Sequence, residues 1–426
     1  MATPFWYNAA LAIIKPLYQW RIKKRAQDVQ AYQQECLERF GPFQMPKNRK
    51  AIWFHAVSVG ETNAAQPLIE HYLKQGHPVL VTNTTKTGQA RAKSLFAQVA
   101  FQDLFQAVYL PADQCSLVQA FYQKYQPKLL ILVETELWPN LIDQAQSFQV
   151  PCILVNARLS AKSAQGYAKV SGLTQAMLQR LNQLLAQDTA TAERFIQLGA
   201  APAVTQVVGS IKFDIHAPTH FVEQAAQLRL DWQLAGRKII TIASTHAPEE
   251  QKLLSALQSS LQQNPDLLCI VVPRHPERFH EVYQLAQALN LKTHRRSQAE
   301  AIQSDTQVYL ADSMGELWLW YALSQVCFVG GSLNEPGGGH NILEPIALNV
   351  PTVLGKNYFN FQTIVDEFVQ ADAVKVVDTA EQAAAVLLQL LQNAEHAQQL
   401  NQAAQQIMQL NKGSLQKHIQ AIDGYL

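Results

Sequence analysis

Leu129-Leu-Ile-Leu-Val133 runs straight into Glu134-Thr-Glu136-Leu-Trp138-Pro139-Asn140. Five apolar residues in a row read as a strand buried on both faces, the pattern of a parallel sheet. The carboxylates that follow fall where such sheets bind ligands, outside the carboxyl ends of the strands. The same pattern repeats on either side. Strands are expected at Ala51–Ala56, Val79–Thr82, Ala107–Leu110, Ile153–Asn156, Leu184–Ala186 and Thr205–Val208, then at Ile239–Ala243, Leu268–Val272, Val308–Leu310, Val326–Val329, Thr352–Leu354 and Val374–Val377. Helical patterns separate them, so the class is α/β with βαβ units. His216-Ala-Pro-Thr219 breaks the alternation and a new series starts after Gly236. The expectation is two doubly wound, Rossmann-like domains facing each other across a cleft, over residues 31–217 and 218–426.

The chain has 426 residues and is 48% hydrophobic, enough for sizeable cores. Charged residues are only 16%, against about 25% in an average soluble protein; roughly fifty glutamines stand in for charge on helix surfaces. With 34 basic and 33 acidic residues the net charge is +1, which removes the bulk electrostatic case for a nucleic-acid partner. Cys36, Cys115, Cys152, Cys269 and Cys327 form no CxxC pair, against a disulfide scaffold or zinc module and in keeping with a reducing compartment.

Phe5 to Trp20 is nearly all apolar, and Asn8, Lys15 and Gln19 make one narrow polar stripe on a helix. Sixteen helical residues reach about 24 Å, short of the roughly 30 Å hydrocarbon core. Arg21, Lys23, Lys24 and Arg25 follow, a cluster suited to anionic headgroups. Residues 1–30 therefore read as a membrane anchor, in-plane or barely spanning. The alternative is an apolar helix docked on the protein's own core.

Six motifs sit just after strands. In His55-Ala-Val-Ser58-Val-Gly60-Glu61-Thr62, Ser58 and Glu61 have capping-box spacing, and Glu61 also offers a carboxylate able to take a proton from a substrate hydroxyl. Glu134 and Glu136, two apart, share a face if the chain is still extended; an ion pair or helix cap is the plain alternative. Gly209-Ser-Ile-Lys212-Phe-Asp214 offers a cation, or a local Lys212–Asp214 pair. In Val271-Val-Pro273-Arg274-His275, a guanidinium one residue past a buried strand suits a phosphate, or an interdomain salt bridge. Asp312-Ser313-Met314-Gly315-Glu316 repeats the capping-box spacing. Gly330-Gly331-Ser332…Gly337-Gly338-Gly339-His340-Asn341-Ile342-Leu343-Glu344 is a strand, glycine loop and helix start, a phosphate-cradle arrangement that is neither GxGxxG nor a Walker A loop. Together they suggest a nucleotide-sugar transferase, with phosphates held by the second domain and an acceptor activated by the first.

These segments, with Asn156-Ala-Arg158-Leu-Ser160 and Pro276-Glu-Arg-Phe279, resemble in order the Kdo (3-deoxy-D-manno-octulosonic acid) transferases of lipopolysaccharide synthesis. The resemblance runs from the amino-terminal anchor to the last helix. It implies the GT-B glycosyltransferase fold, CMP-Kdo as donor, the lipid A precursor (lipid IVA) as acceptor, contact with inner-membrane lipids through residues 5–25, and a place on the cytoplasmic face of the inner membrane. On it, residues 31–217 are the acceptor-binding and 218–426 the donor-binding domain. Carried over by motif, Glu61 is the catalytic base, and Glu134 and Lys212 stabilise the transition state. Pro273, Arg274, Met314, Gly315, Glu316, Asn341, Ile342, Leu343 and Glu344 bind CMP. The loop Asn334–Gly339 is a residue longer than the family's form. No metal cluster is visible in the sequence, so no metal or other cofactor is expected, and inversion at the anomeric carbon is. The rivals are a GT-B transferase using a UDP-sugar, and a membrane-bound protein that binds anionic lipid or nucleotide without catalysis.

Overall fold

The structure is a computed structural model that describes residues 3–426, the side chain of Thr363 apart. The chain forms two compact units, Met1–Asp214 with Asn411–Leu426, and Ile215–Leu410. In the first unit β1 (Ile52–His55), β2 (Val79–Asn83), β3 (Phe105–Tyr109), β4 (Leu129–Val133), β5 (Cys152–Ala157), β6 (Gln183–Ala186) and β7 (Thr205–Val207) form one parallel sheet. Its order is β3-β2-β1-β4-β5-β6-β7, so chain direction across the sheet reverses between β1 and β4. Period-two alternation divides the apolar side chains between two layers of helices. Trp53, Leu80, Leu130, Leu132 and Leu154 fill one core. Phe54, Val81, Ile131, Val133 and Val155 fill the other. Each such side chain contributes about 1.5–3 kcal/mol by leaving water, so Leu132→Ala costs about 2–5 kcal/mol.

The second unit repeats the plan with β8 (Lys238–Thr245), β9 (Leu267–Pro273), β10 (Thr293–Arg295), β11 (Val308–Leu310), β12 (Val326–Val329), β13 (Thr352–Gly355) and β14 (Lys375–Val377). The order is β10-β11-β9-β8-β12-β13-β14, and the reversal lies between β8 and β12.

Two expectations change. The break between units falls after Asp214, and residues 411–426 leave the second unit to pack on the first. Ile419 and Ile422 of helix Ser414–Asp423 enter the first unit's core, and Tyr72 donates its hydroxyl to Asp423 at 2.9 Å. The amino-terminal helix is longer than read, Phe5–Arg25, with Pro16 inside it. No helix among the described residues is long and apolar enough to cross a membrane. The helix lies on the first unit with its polar stripe inward. Tyr7 donates to Asp113 at 2.9 Å, and the Asn8 carbonyl accepts from Asn140 at 2.9 Å and from the Cys115 backbone at 3.2 Å. Phe5, Trp6, Ile13, Leu17 and Trp20 face outward, Phe5 at 87% and Ile13 at 79% exposure. That is the reverse of an ordinary surface helix, whose apolar side faces the core.

Candidate active site

Glu61 lies in the first turn of helix Val59–Lys74, directly after β1. Both readings of its motif hold. Ser58 caps the helix, and the carboxyl reaches back to accept from the Val57 backbone at 2.6 Å and from the Ser58 hydroxyl at 3.0 Å. Burial, then the neighbouring Glu136 and less strongly Glu134, push its pKa from 4.5 to about 8, against the pull of those two hydrogen bonds.

Glu134 leaves β4 in the left-handed region, at φ 65°, so the chain is no longer extended and the predicted shared face with Glu136 is lost. Glu134 accepts from Lys212 at 2.6 Å in a half-buried pair. Glu136 accepts from the Trp138 indole at 3.0 Å, and burial raises its pKa. Lys212 therefore pairs with Glu134 and not, as in the plain alternative, with Asp214. Asp214 accepts from the Leu415 backbone at 2.9 Å and so receives the returning carboxyl-terminal helix.

Asn156 fixes the Lys212 turn, and sequence reading had quoted it only as part of a motif. Fully buried at φ 50°, it accepts from the Ile211 backbone at 3.2 Å and the Ser210 hydroxyl at 3.3 Å. Its own N–H donates to His418 Nε2 at 3.0 Å. His418 Nδ1 donates to the Ser414 carbonyl at 2.8 Å, and burial lowers its pKa to about 4, so it is neutral. The returning helix thus sets the position of the Lys212 turn through Asn156. Glu61, Glu134 and Lys212 are brought together where the first sheet reverses.

Beside them lies a mostly apolar cavity of about 160 Å³ under the amino-terminal helix, lined by Leu11, Tyr18, Phe40, Leu110, Asp113 and Trp138. Asp113, missed in the sequence, accepts from the backbones of Asn140 at 3.1 Å and Leu141 at 2.9 Å. Burial lifts it to about 7.

In the second unit Pro273 ends β9 and Arg274 follows, its backbone donating to Thr245 at 3.0 Å. The Arg274 side chain is exposed and makes no hydrogen bond or ion pair among the described residues. Met314 is 60% exposed and Gly315 has φ 85°. Glu316 does not complete a capping box. Arg296 holds it through two nitrogens, at 2.6 and 3.1 Å, and the Ser313 hydroxyl donates to it. Those partners bring its pKa below the usual value against burial. The Asn341 carbonyl accepts from the Leu343 backbone at 3.1 Å and its amide donates to Glu344 at 3.3 Å, while Ile342 and Leu343 are buried. Burial raises the Glu344 pKa, while Asn341 and Arg274 pull it down.

The glycine loop corrects the phosphate-cradle expectation. The backbone N–H groups of Gly331, Ser332 and Leu333 point at Glu249, at 2.7–2.8 Å, and His246 adds a fourth at 3.1 Å. A fully buried side-chain carboxylate fills this part of the nest. The helix beyond, Leu343–Ala347, has five residues, so its dipole is short. Those four N–H groups are thus satisfied within the fold. Among the described residues no group of three His, Cys, Asp or Glu converges as a metal site.

A family model described as 3-deoxy-D-manno-octulosonic-acid transferase (kdotransferase) matches residues 34–215, and one described as glycosyl transferases group 1 matches residues 236–407. The 3-deoxy-D-manno-octulosonic acid transferase of Haemophilus influenzae is 36% identical over 99% of this chain and 98% of its own. The chain belongs to this family. It is a glycosyltransferase of the Kdo transferase family, and its two parallel α/β units are the GT-B fold. The C-terminal CMP-Kdo binding domain of WaaA from Acinetobacter baumannii is 61% identical over 45% of this chain and all of that one, with a TM-score of 0.45. The UDP-GlcNAc 2-epimerase of Neisseria meningitidis bound to UDP-GlcNAc shares the fold at 12% identity, over 87% of this chain and 99% of that one, with a TM-score of 0.50.

Proposed function

We propose that this Kdo transferase moves Kdo from CMP-Kdo to the lipid A precursor with inversion, and that Glu61 is the base. The observation that carries the assignment is the convergence of Glu61 with Glu134, Glu136 and Lys212 at the first sheet's reversal. Buried among carboxylates, Glu61 binds a proton more strongly than a free glutamate does, which is what an acceptor hydroxyl needs from its base. As that oxygen attacks the anomeric carbon of Kdo, its proton passes to Glu61 and CMP departs from the opposite face. Lys212, held by Glu134, adds positive charge near the reacting oxygens. Arg274 meets the charge on the departing phosphate, and Pro273, Met314–Glu316 and Asn341–Glu344 seat the nucleotide. The reading assigns no resident metal or other cofactor.

The acceptor's acyl chains suit the apolar cavity, whose wall residue Trp138 hydrogen-bonds Glu136 and so adjoins the base. The outward Trp6, Ile13, Leu17 and Trp20, followed by Arg21, Lys23, Lys24 and Arg25, suit a helix lying in the cytoplasmic face of the inner membrane. Product analysis with CMP-Kdo and lipid IVA tests the whole. Kdo-modified lipid and released CMP are expected, and turnover with a UDP-sugar instead would overturn the donor assignment.

A further inference from the structure

Three histidines gather where the second sheet reverses. His246 follows β8, His275 follows Arg274 after β9, and His340 closes the glycine loop after β12. His246 Nε2 and His340 Nε2 are 2.8 Å apart. The rings are 6° from parallel with centroids 5.1 Å apart, which places them head-on in one plane. His275 stands edge-on to His246, with centroids 4.9 Å apart. Gly331 makes the contact possible, since a Cβ there would sit 2.8–2.9 Å from the His340 ring.

A head-on Nε2–H···Nε2 bond admits one proton between the rings, because two would collide. The neutral pair then has one free Nδ1 without a proton, so it accepts one proton more and no others without breaking. The charged and titratable groups facing the pair are Arg274, His275, Glu249 and Glu250. Glu249 is committed to four backbone N–H groups and Glu250 to Arg278 at 3.2 Å. Burial, helped by Arg274, His275 and the partner ring, keeps His340 near 4 and lowers His246, so without ligand the pair is uncharged at neutral pH. Both rings are partly open to solvent, and the exposed Arg274 lies beside them.

We propose that His246 and His340 are a proton-sharing pair that takes up one proton from solvent when the donor's nucleotide phosphate binds beside Arg274, and releases it when CMP leaves. This deepens the donor reading and rests on it. The pair becomes a second cation only while an anion is present, so the empty site avoids the repulsion of two adjacent fixed charges. It also supplies what the Glu249-filled glycine loop does not, positive charge that rises with phosphate binding.

The test is calorimetric titration of the full-length protein with CMP at pH 7, repeated in buffers of different ionisation enthalpy, which counts protons exchanged. Uptake approaching one proton per CMP is expected. The phosphate's own residual proton, with a pKa near 6, would be released at a cationic site and gives the opposite sign. His340→Gln and His246→Gln should each abolish uptake while CMP still binds about tenfold more weakly, and His275→Gln should keep it. CMP binding without uptake, or uptake that survives both pair variants, overturns the proposal. No CMP binding at all in the wild type instead strikes the donor reading beneath it.

Discussion

Glu61→Gln separates chemistry from capping. Glutamine keeps a carbonyl oxygen for the Val57 N–H and presents its amide N–H to the Ser58 hydroxyl oxygen, which then accepts, but it cannot take a proton. Loss of a positioned base should lower turnover about 10²–10⁴-fold while CMP binding, which the proposal assigns to the second unit, is unchanged. Stability should move the other way. Folded Glu61 holds its proton up to about pH 8, whereas its ordinary value is 4.5. A raised folded pKa gives a contribution that is complete below the unfolded value and is lost as pH rises through the folded one. At about 1.4 kcal/mol per pH unit the wild type gives up roughly 4 kcal/mol relative to glutamine by pH 8. Residual solvent contact reduces this to ~2 kcal/mol, a melting difference of roughly 5 °C. The assays are CMP release with lipid IVA as acceptor, and thermal melts at pH 5 and 8. The variant should melt near the wild type at pH 5 and above it at pH 8. The wild type's kcat/KM should rise through about pH 8, as Glu61 deprotonates, and the variant's should not. Turnover within tenfold of wild type would refute the base. A uniform loss of about 1 kcal/mol at every pH would show that capping is its whole role.

Lys212→Met leaves the half-buried Glu134 unpaired; a loss of about 2 kcal/mol by thermal melt is expected, with at least a tenfold fall in turnover, while Lys212→Arg keeps most of both. Arg274→Ala removes an exposed cation without a structural partner, so CMP affinity by calorimetry should fall about 10–100-fold with the melting temperature unchanged. Replacing Trp6, Leu17 and Trp20 together by Ser should cut sedimentation with acidic phospholipid vesicles several-fold without lowering stability, because these side chains already face out. Raising salt should weaken the binding of the unaltered protein.

Legibility followed burial. Leu129–Val133, Val308–Leu310 and Val326–Val329 were readable to the residue because both faces are buried and no polar position interrupts them. Thr293–Arg295, an edge strand of three half-buried polar residues, carries no such signal. Glu61 was readable by spacing, and the same spacing misled at Ser313–Glu316, where Arg296 arrives from a neighbouring loop and takes the carboxylate. The return of residues 411–426 depends on long-range contacts such as Asp214 with Leu415, which local pattern does not encode. His246 followed a strand just as Arg274 did, and the strand-exit rule that picked out Arg274 would have found it.

Glu249 and Asp113 explain why a glycine loop and a helix start are weaker guides to ligand charge here than their patterns suggest. In each unit an internal carboxyl already occupies converging backbone N–H groups: Glu249 takes three from the glycine loop, and Asp113 takes Asn140 and Leu141 at the start of helix Pro139–Ser147. Backbone dipoles satisfied from within rigidify a loop but offer less to an incoming phosphate or oxyanion. On the proposed mechanism, fixed positive charge for the reaction then resides on side chains that the folded protein leaves near the surface, Lys212 in one unit and Arg274 in the other. Glu249 also accepts from the His246 backbone, so the carboxylate that fills the nest is the one that seats the histidine pair. Removing it would therefore disturb the loop and the pair together, whereas His340→Gln alters the pair and leaves every loop hydrogen bond to Glu249 in place.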